Sequence, residues 1–493
     1  MLMPIKKLYR TAEVRELDRI AIQDFGIPGY TLMQRAGRAA FSALQKHWPK
    51  ASKILVICGS GNNAGDGYEI ACLAHQKGLQ ISVLYISEPN QLTGDASIAF
   101  KNAQKNGVAV KPFNAKQQLQ ADVIVDALLG TGLKGEVRND YRVAIQAINN
   151  SKSPILAVDV PSGLNADTGN ILGAAIQADL TITFVGCKRG FFTGQAPQYC
   201  GEVLYDDLDV PKEVFDRVKS DVEKLDLDEL KQYLPPRSKI AHKGDFGHVL
   251  VIGGDYGMAG AARMAGEAAA RTGSGLTTVA TRPEHIVAVS GMCPELMCYG
   301  VETAEDLKQL IEKATVLVIG PGLGRSSWSK DLWQAVLKTD KPKVIDADGL
   351  NLLVENPTKS KNWILTPHPG EAARLLSCTS TDIQNDRFTA IHNLCKKYAG
   401  TCVLKGPGTL VLGESGKIYV CTAGNPGMAS GGMGDVLSGI IGGLLAQNLS
   451  LEHAARMGVL LHSKSADLAA QEKGERGLLA TDLLPYLRKL INT

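Results

Sequence analysis

Two kinds of short segment in this chain could do chemistry. In the first kind an apolar run ends in a carboxylate. Asp126 follows Val-Ile-Val in DVIVDALLG (122–130), and Asp159 follows Leu-Ala-Val in PILAVDVPSG (154–163), which also carries Ser162. A carboxylate at a strand end can bind a cation or move a proton. VICGSGNNAGDGYEIA (56–71) adds Asn62, Asn63 and Asp66 after another apolar run. The second kind is glycine-rich. NPGMASGGMGDVLSGIIGGLL (425–445) sets Gly431, Gly432 and Gly434 before Asp435 and an apolar helix. Bare N–H groups at such a helix start attract phosphate.

The first set is all oxygen and carries few charges. That suits a hard, weakly charged cation better than zinc, which favours Cys and His. Gly59, Gly61 and Ala64 fit a dinucleotide fingerprint. Asp66 in the tight turn would repel a pyrophosphate, so an ordinary NAD site is not expected. Asn and Asp in turns can also act only as local caps. Ligands of open parallel sheets bind outside the carboxyl ends of the strands. If these three strands are neighbours, their polar ends converge beside the loop GTGLKGE (130–136).

The second set contains no P-loop. Gly-Asp before a helix resembles the ribokinase-like fold, in which that Asp activates a hydroxyl for phosphoryl transfer. The alternative for Asp435 is a helix cap. LKGPGT (404–409) offers a lysine and a flexible turn to a nucleotide. TPHPGEAARLL (366–376) holds His368 between two prolines, and VIDADGLN carries Asp346 and Asp348, the latter a default helix cap. Gly257–Gly260 opens an Ala-rich helix and lets a substrate approach the backbone at Ala259.

The elements that must position these groups alternate. Apolar runs at 53–59, 81–87, 108–113, 122–130, 154–163 and 180–186 are separated mostly by helical segments, which predicts βαβ units on a parallel sheet. Thr31-x-x-Gln34 has the form of a capping box opening a helix. A charged stretch, 209–239, closes on Pro235-Pro236, and a second alternating series begins at 248. The boundaries expected are 1–218 and 225–493. The fold class is therefore α/β, with two different three-layer domains, Rossmann-like then ribokinase-like.

A chain of 493 residues exceeds one ordinary domain. A net charge of +3 and the lack of basic runs with aromatics speak against a nucleic-acid partner. The ten cysteines form no C-x-x-C pair, which fits reduced residues in a cytoplasmic protein. Neither a secretory signal nor a membrane span is expected.

GSGNNAGDGYEIA, VDALLGTGLKGE and AVDVPSGLNADTG resemble the signature loops of the NAD(P)H-hydrate epimerases across about residues 10–215. The resemblance implies interconversion of the C6 epimers of hydrated NADH or NADPH, with K+ on Asn63, Asp126 and Ser162. Substrate would lie on Asn62, Asn63, Ala64, Gly65 and Asp66 and on Gly130, Thr131, Gly132, Leu133, Lys134, Gly135 and Glu136, with Asp159 at the reacting ring. DYGMAGAARMA, GPGLG, DADGLN, LTPHPGE, LKGPGT and GGMGDVLSG resemble the NAD(P)H-hydrate dehydratases across about 225–490. That implies dehydration of the S epimer with ADP or ATP and Mg2+. The nucleotide would lie on Lys405, Gly406, Pro407, Gly408, Thr409 and Gly434, and the substrate on Ala259, Gly322, His368 and Asp435. Both on one chain resemble the fused bacterial hydrate-repair enzymes, and a homo-oligomer is expected. A rival within the ribokinase-like fold is a small-molecule kinase, which would release a stable phosphorylated alcohol. A nucleotide-sensing scaffold would show no turnover.

Overall fold

The computed structural model describes residues 5–115, 117–133 and 135–492. Contacts divide the chain into two compact units, Met1–Glu223 and Lys224–Thr493.

The first unit is built on a seven-stranded sheet. Its order is Val110–Pro112, Gln80–Tyr85, Lys53–Cys58, Val123–Ala127, Ile155–Val158, Leu180–Phe184 and Glu202–Asp206. Every pairing is parallel. The chain leaves Lys53–Cys58 toward one edge and returns to its other side at Val123–Ala127, so the strand order reverses between these two. A crevice opens at such a reversal. Both sheet faces are covered, which is why the strands are apolar at nearly every position. Ile54, Val56 and Cys58 pack under helices Gly29–His47, Asn62–Gln76 and Gly94–Lys105, whereas Leu55 and Ile57 pack under Asn139–Asn149. Each such buried aliphatic side chain contributes about 1.5–3 kcal/mol.

Two local expectations need correction. The long helix starts at Gly29 with Pro28 as its N-cap, so Thr31 lies inside the first turn and caps nothing. Pro28 is pre-set for a helix start and needs no N–H partner there. Asp66 lies within helix Asn62–Gln76, not in the turn before it. The edge strand Glu202–Asp206 was not anticipated, since its residues are only partly buried.

The second unit carries a mixed sheet. Its order is Ile418–Cys421, Thr409–Leu412, Thr401–Leu404, Trp363–Leu365, Lys343–Ile345, Val316–Ile319, His248–Ile252, Leu276–Thr281 and Met297–Gly300. The first two pairings are antiparallel and the rest parallel. A hairpin joins Thr409–Leu412 to Ile418–Cys421, and Met297–Gly300 is a further unanticipated edge strand. Helices Ala259–Thr272 and Met433–Ala446 pack backbone to backbone. A Cβ on Gly439 would strike the carbonyl of Ala265, and one on Gly443 that of Ala269. Equal steps along both helices mean that they run parallel. Ala265 stands as far from Ala259 as Gly439 does from Met433, so the two N-termini begin side by side.

Candidate active sites

In the first unit the strands ending at Cys58, Ala127 and Val158 are consecutive neighbours. Their polar ends do converge, on a cavity of about 720 Å3 lined by Asn62, Asn63, Asp66, Glu136, Asp159 and the segment 130–133. Ala64 and Gly65 are buried away from it, and a Cβ on Gly65 would strike Met33. Gly135 does not line it, and Lys134 lies outside the described residues.

Asp126 and Ser162 are fully buried behind this wall. Asp126 Oδ1 accepts the Ser162 hydroxyl at 2.6 Å and the Leu128 N–H at 3.2 Å, and Oδ2 accepts the Ser162 N–H at 2.8 Å. Ser162 Oγ also accepts the Leu129 N–H at 2.8 Å. Asn63 flanks the same segment, its Cβ 3.5 Å from where a Cβ on Gly130 would stand. Both polar atoms of the Asn63 amide are buried without a hydrogen-bond partner among the described residues. An orphaned amide beside a buried carboxylate fits an oxygen-ligated cation, because an unpaired buried polar group is otherwise costly.

Asp159 sits at the end of its strand with φ 63. Its Oδ1 accepts bonds from the Lys188 ammonium and, at 3.2 Å, from Thr183 Oγ1. Its Oδ2 lies 3.8 Å from the Cβ position of Gly130. Four more carboxyls line the cavity, those of Asp18, Asp66, Asp95 and Glu136. Burial pushes Asp18 up to about 6, with Lys188 opposing and Asp159 adding to the rise. Burial raises Asp66 well above the usual carboxylate range, with Asp159 the next cause. Sequence reasoning missed Asp18, Thr183 and Lys188. Lys188 had a signal: it follows the apolar strand Leu180–Phe184, which neighbours the strand that ends at Asp159.

In the second unit the candidate groups stand after consecutive strands. Asp346 follows Lys343–Ile345, Thr366 follows Trp363–Leu365 and Lys405 follows Thr401–Leu404. Asp346 is buried and takes three donors: Lys405 Nζ at 2.8 Å, Thr366 Oγ1 at 2.8 Å and Ser438 Oγ at 2.8 Å. Lys405 Nζ is also 3.8 Å from Glu371 Oε2 and 3.3 Å from the Cβ position of Gly434. Lys405, Gly434 and the start of helix Met433–Ala446 therefore meet.

Asp435 is in the first turn of that helix, whose N-cap is Gly432. It is not the cap, and its side chain accepts no hydrogen bond among the described residues. Burial pushes it up to about 7, with Asp346 adding to the rise and Lys405 opposing it. His368 is an N-cap: its Nδ1 accepts the N–H groups of Gly370 at 3.0 Å and Glu371 at 3.4 Å. Burial, then the charges of Lys405 and Arg374, lower its pKa and keep the ring neutral. Asp348 is not a cap either, since its Oδ2 accepts the N–H of Gly324. Gly322 packs on Met258 and Ala261, beside Ala259 at the start of the neighbouring helix. The turn 405–409 is tied from beneath by fully buried Arg387, which donates to the carbonyls of Leu404 and Lys405. Arg387 was not legible as part of this site, because it opens the preceding helix, where an arginine reads as exposed.

Residues 249–489 match the family NAD(P)H-hydrate dehydratase, and residues 29–190 match the YjeF-related protein N-terminus. The chain is 55% identical over 485 residues to the bifunctional NAD(P)H-hydrate repair enzyme of Coxiella burnetii, covering 98% of this chain and 99% of that one. It is 44% identical over 480 residues to the same enzyme of Escherichia coli, covering 97% and 93%. Among solved structures it is similar to the ADP/ATP-dependent NAD(P)H-hydrate dehydratase of Bacillus subtilis co-crystallised with ATP and Mg2+, with TM-score 0.50 and 30% identity over 54% of this chain and 96% of that one. A ribokinase-like superfamily protein of Enterococcus faecalis gives TM-score 0.52 and 30% identity over 55% and 96%.

Proposed function

The chain belongs to the bifunctional NAD(P)H-hydrate repair enzymes, and from that membership we propose how its residues divide the work. It epimerises NAD(P)H-hydrate and dehydrates it at the expense of ADP or ATP. Asp159 handles the proton of the first reaction and Asp435 that of the second. The observation that carries this division is the placement of Asp435: first turn of a helix, no hydrogen bond of its own, and the Lys405–Gly434 contact beside it.

Inverting C6 requires a bond to C6 to break and reform on the other face while a hydroxyl proton leaves and returns. Asp159 Oδ2, beside the Gly130 loop, is placed to take and return it. Asn63, Asp126 and Ser162 would hold K+, supported by the orphaned Asn63 amide. The ion would offset the buried negative charge and anchor a substrate oxygen.

In the dehydration, hydroxide is a poor leaving group, so the oxygen is first phosphorylated. Asp435 takes the C6 hydroxyl proton as that oxygen bonds to the terminal phosphorus and the bond from phosphorus to the nucleotide breaks. Phosphate then leaves with the C6–O electron pair, a proton leaves C5, and the C5–C6 double bond returns. The paired helix N-termini at Ala259 and Met433 offer N–H groups to the phosphates. Lys405 adds a cation, and the turn 405–409 takes the nucleotide. Mg2+ would accompany the nucleotide and spread its charge.

Mixed hydrate epimers plus ADP should regain the full absorbance of reduced nicotinamide. A stable phosphorylated product without that absorbance would instead identify a kinase.

A further inference from the structure

The proton-handling role of Asp159 leaves one feature without a task, the buried lysine beside it. Resting on that role, we propose that Lys188 is the positioning residue of the epimerisation. Its ammonium, with Thr183, holds one oxygen of Asp159 so that the other is presented as the base beside Gly130.

Lys188 borders the cavity, but its side chain is only 1% exposed, so it offers almost no surface to a substrate. An ammonium has three donors. Here they meet Asp159 Oδ1, Thr183 Oγ1 at 2.8 Å and the Phe184 carbonyl at 3.2 Å. Thr183 can in turn donate to Asp159 Oδ1. Both side-chain partners of Asp159 therefore sit on Oδ1, and Oδ2 is the atom turned toward Gly130.

The backbone at both ends of the ion pair is in the left-handed region. Asp159 has φ 63, and Val185, between Thr183 and Lys188, has φ 60. For a β-branched residue that is a steric outlier. Such conformations persist where the surroundings over-determine them, and they gather at functional sites. The Asp159 N–H is held by the Ile182 carbonyl and the Val185 N–H by that of Asp206, so the ladder itself enforces both turns.

Electrostatics point the same way. The cavity that Asp159 lines also carries the carboxyls of Asp18, Asp66, Asp95 and Glu136 and the cations of Arg15, Arg138 and Lys188. Of these cations, Lys188 is the one hydrogen-bonded to Asp159.

The test uses the full chain with Lys188→Met, Lys188→Arg and Thr183→Val. Lys188→Met should lower kcat for epimerisation by about 10²-fold or more while KM for the hydrate changes by less than about threefold, the pattern of a group outside the binding surface. The acid limb of its pH–rate profile should move to higher pH, because Asp159 would lose the cation bonded to it. Lys188→Arg should recover part of kcat, and Thr183→Val should lose about tenfold. Dehydration of pure S epimer by the same preparations should stay at the wild-type level. Wild-type kcat in Lys188→Met, or a loss confined to KM, overturns the proposal. If Lys188→Met fails to fold, Thr183→Val decides: unchanged kcat with an unmoved acid limb overturns it. Asp159→Asn tests the premise. If it is inactive while both Lys188→Met and Thr183→Val are active, this proposal alone is lost. If it is fully active, the base assignment goes as well.

Discussion

The two candidate carboxylates differ in what surrounds them. Asp159 has a lysine of its own, buried and bonded to it directly. Asp435 has only a shared one: Lys405 bonds to Asp346, and Asp435 receives its field without its hydrogen bond. Each arrangement suits its reaction. An epimerase returns the proton it takes to the same substrate, so a base held in one fixed orientation serves it. The dehydratase base acts once per turnover, beside phosphates that would repel a fixed negative charge. A carboxyl that titrates near neutrality limits that repulsion. One chain thus tunes the same functional group in two ways, by direct pairing and by crowding.

The strongest way to break this comparison is a crossed experiment. Asp435→Asn should lower dehydration by about 10²–10⁴-fold and leave epimerisation intact, and Asp159→Asn should do the reverse. Chromatography of the two epimers, beside the recovery of reduced nicotinamide, reads both. Loss of both reactions in either variant would show that the two sites do not act independently. Nucleotide binding should survive in Asp435→Asn, as titration calorimetry would show, because a negative charge beside the phosphates has been removed.

Acidity sharpens the comparison on a smaller scale. Asp435 works as a base only when ionised, and burial has raised it to about 7. The kcat/KM for dehydration should therefore fall by up to about tenfold per pH unit below about 7. A profile flat down to pH 5 would contradict the assignment.

The smallest effect is on stability. The folded carboxyl of Asp435 keeps its proton to higher pH than the unfolded one, so the folded state binds more protons between about 4 and about 7. Stability from this group is present at low pH and lost as pH rises through about 7. Asp435→Asn should remove that loss. At pH 8 the variant should gain on the order of 1–3 kcal/mol, or roughly 2–4 °C in Tm for each kcal/mol. Near pH 4 the two proteins should melt together. A gain that did not grow with pH would point to packing instead.

Local signals made much of this legible. Asp126 and Asp159 were found because each ends an apolar run, and Asp435 because glycines crowd before an apolar helix. In the first unit the strand order brought the separate strand ends together at one cavity, and order depends on long-range pairing that no local pattern encodes. Lys188 and Arg387 were missed for a related reason. A cation reads in sequence as a surface residue, yet both are buried, with their charges taken up by neighbouring oxygens. The edge strands Glu202–Asp206 and Met297–Gly300 were missed because partial exposure blurs the apolar alternation that marks a strand. Thr31 misled because a proline three residues earlier had already opened the helix.

The parallel helices that start at Ala259 and Met433 have one more consequence. Their partial positive ends are pressed together by contacts too tight to let them slide apart. Without an anion the pair is under electrical compression, like two magnets clamped pole to pole. A phosphate bound there would offset that repulsion, so a nucleotide would act as a keystone as well as a reagent. The fold stores repulsion where the reaction needs attraction, and the glycines at 439 and 443 are the clamp.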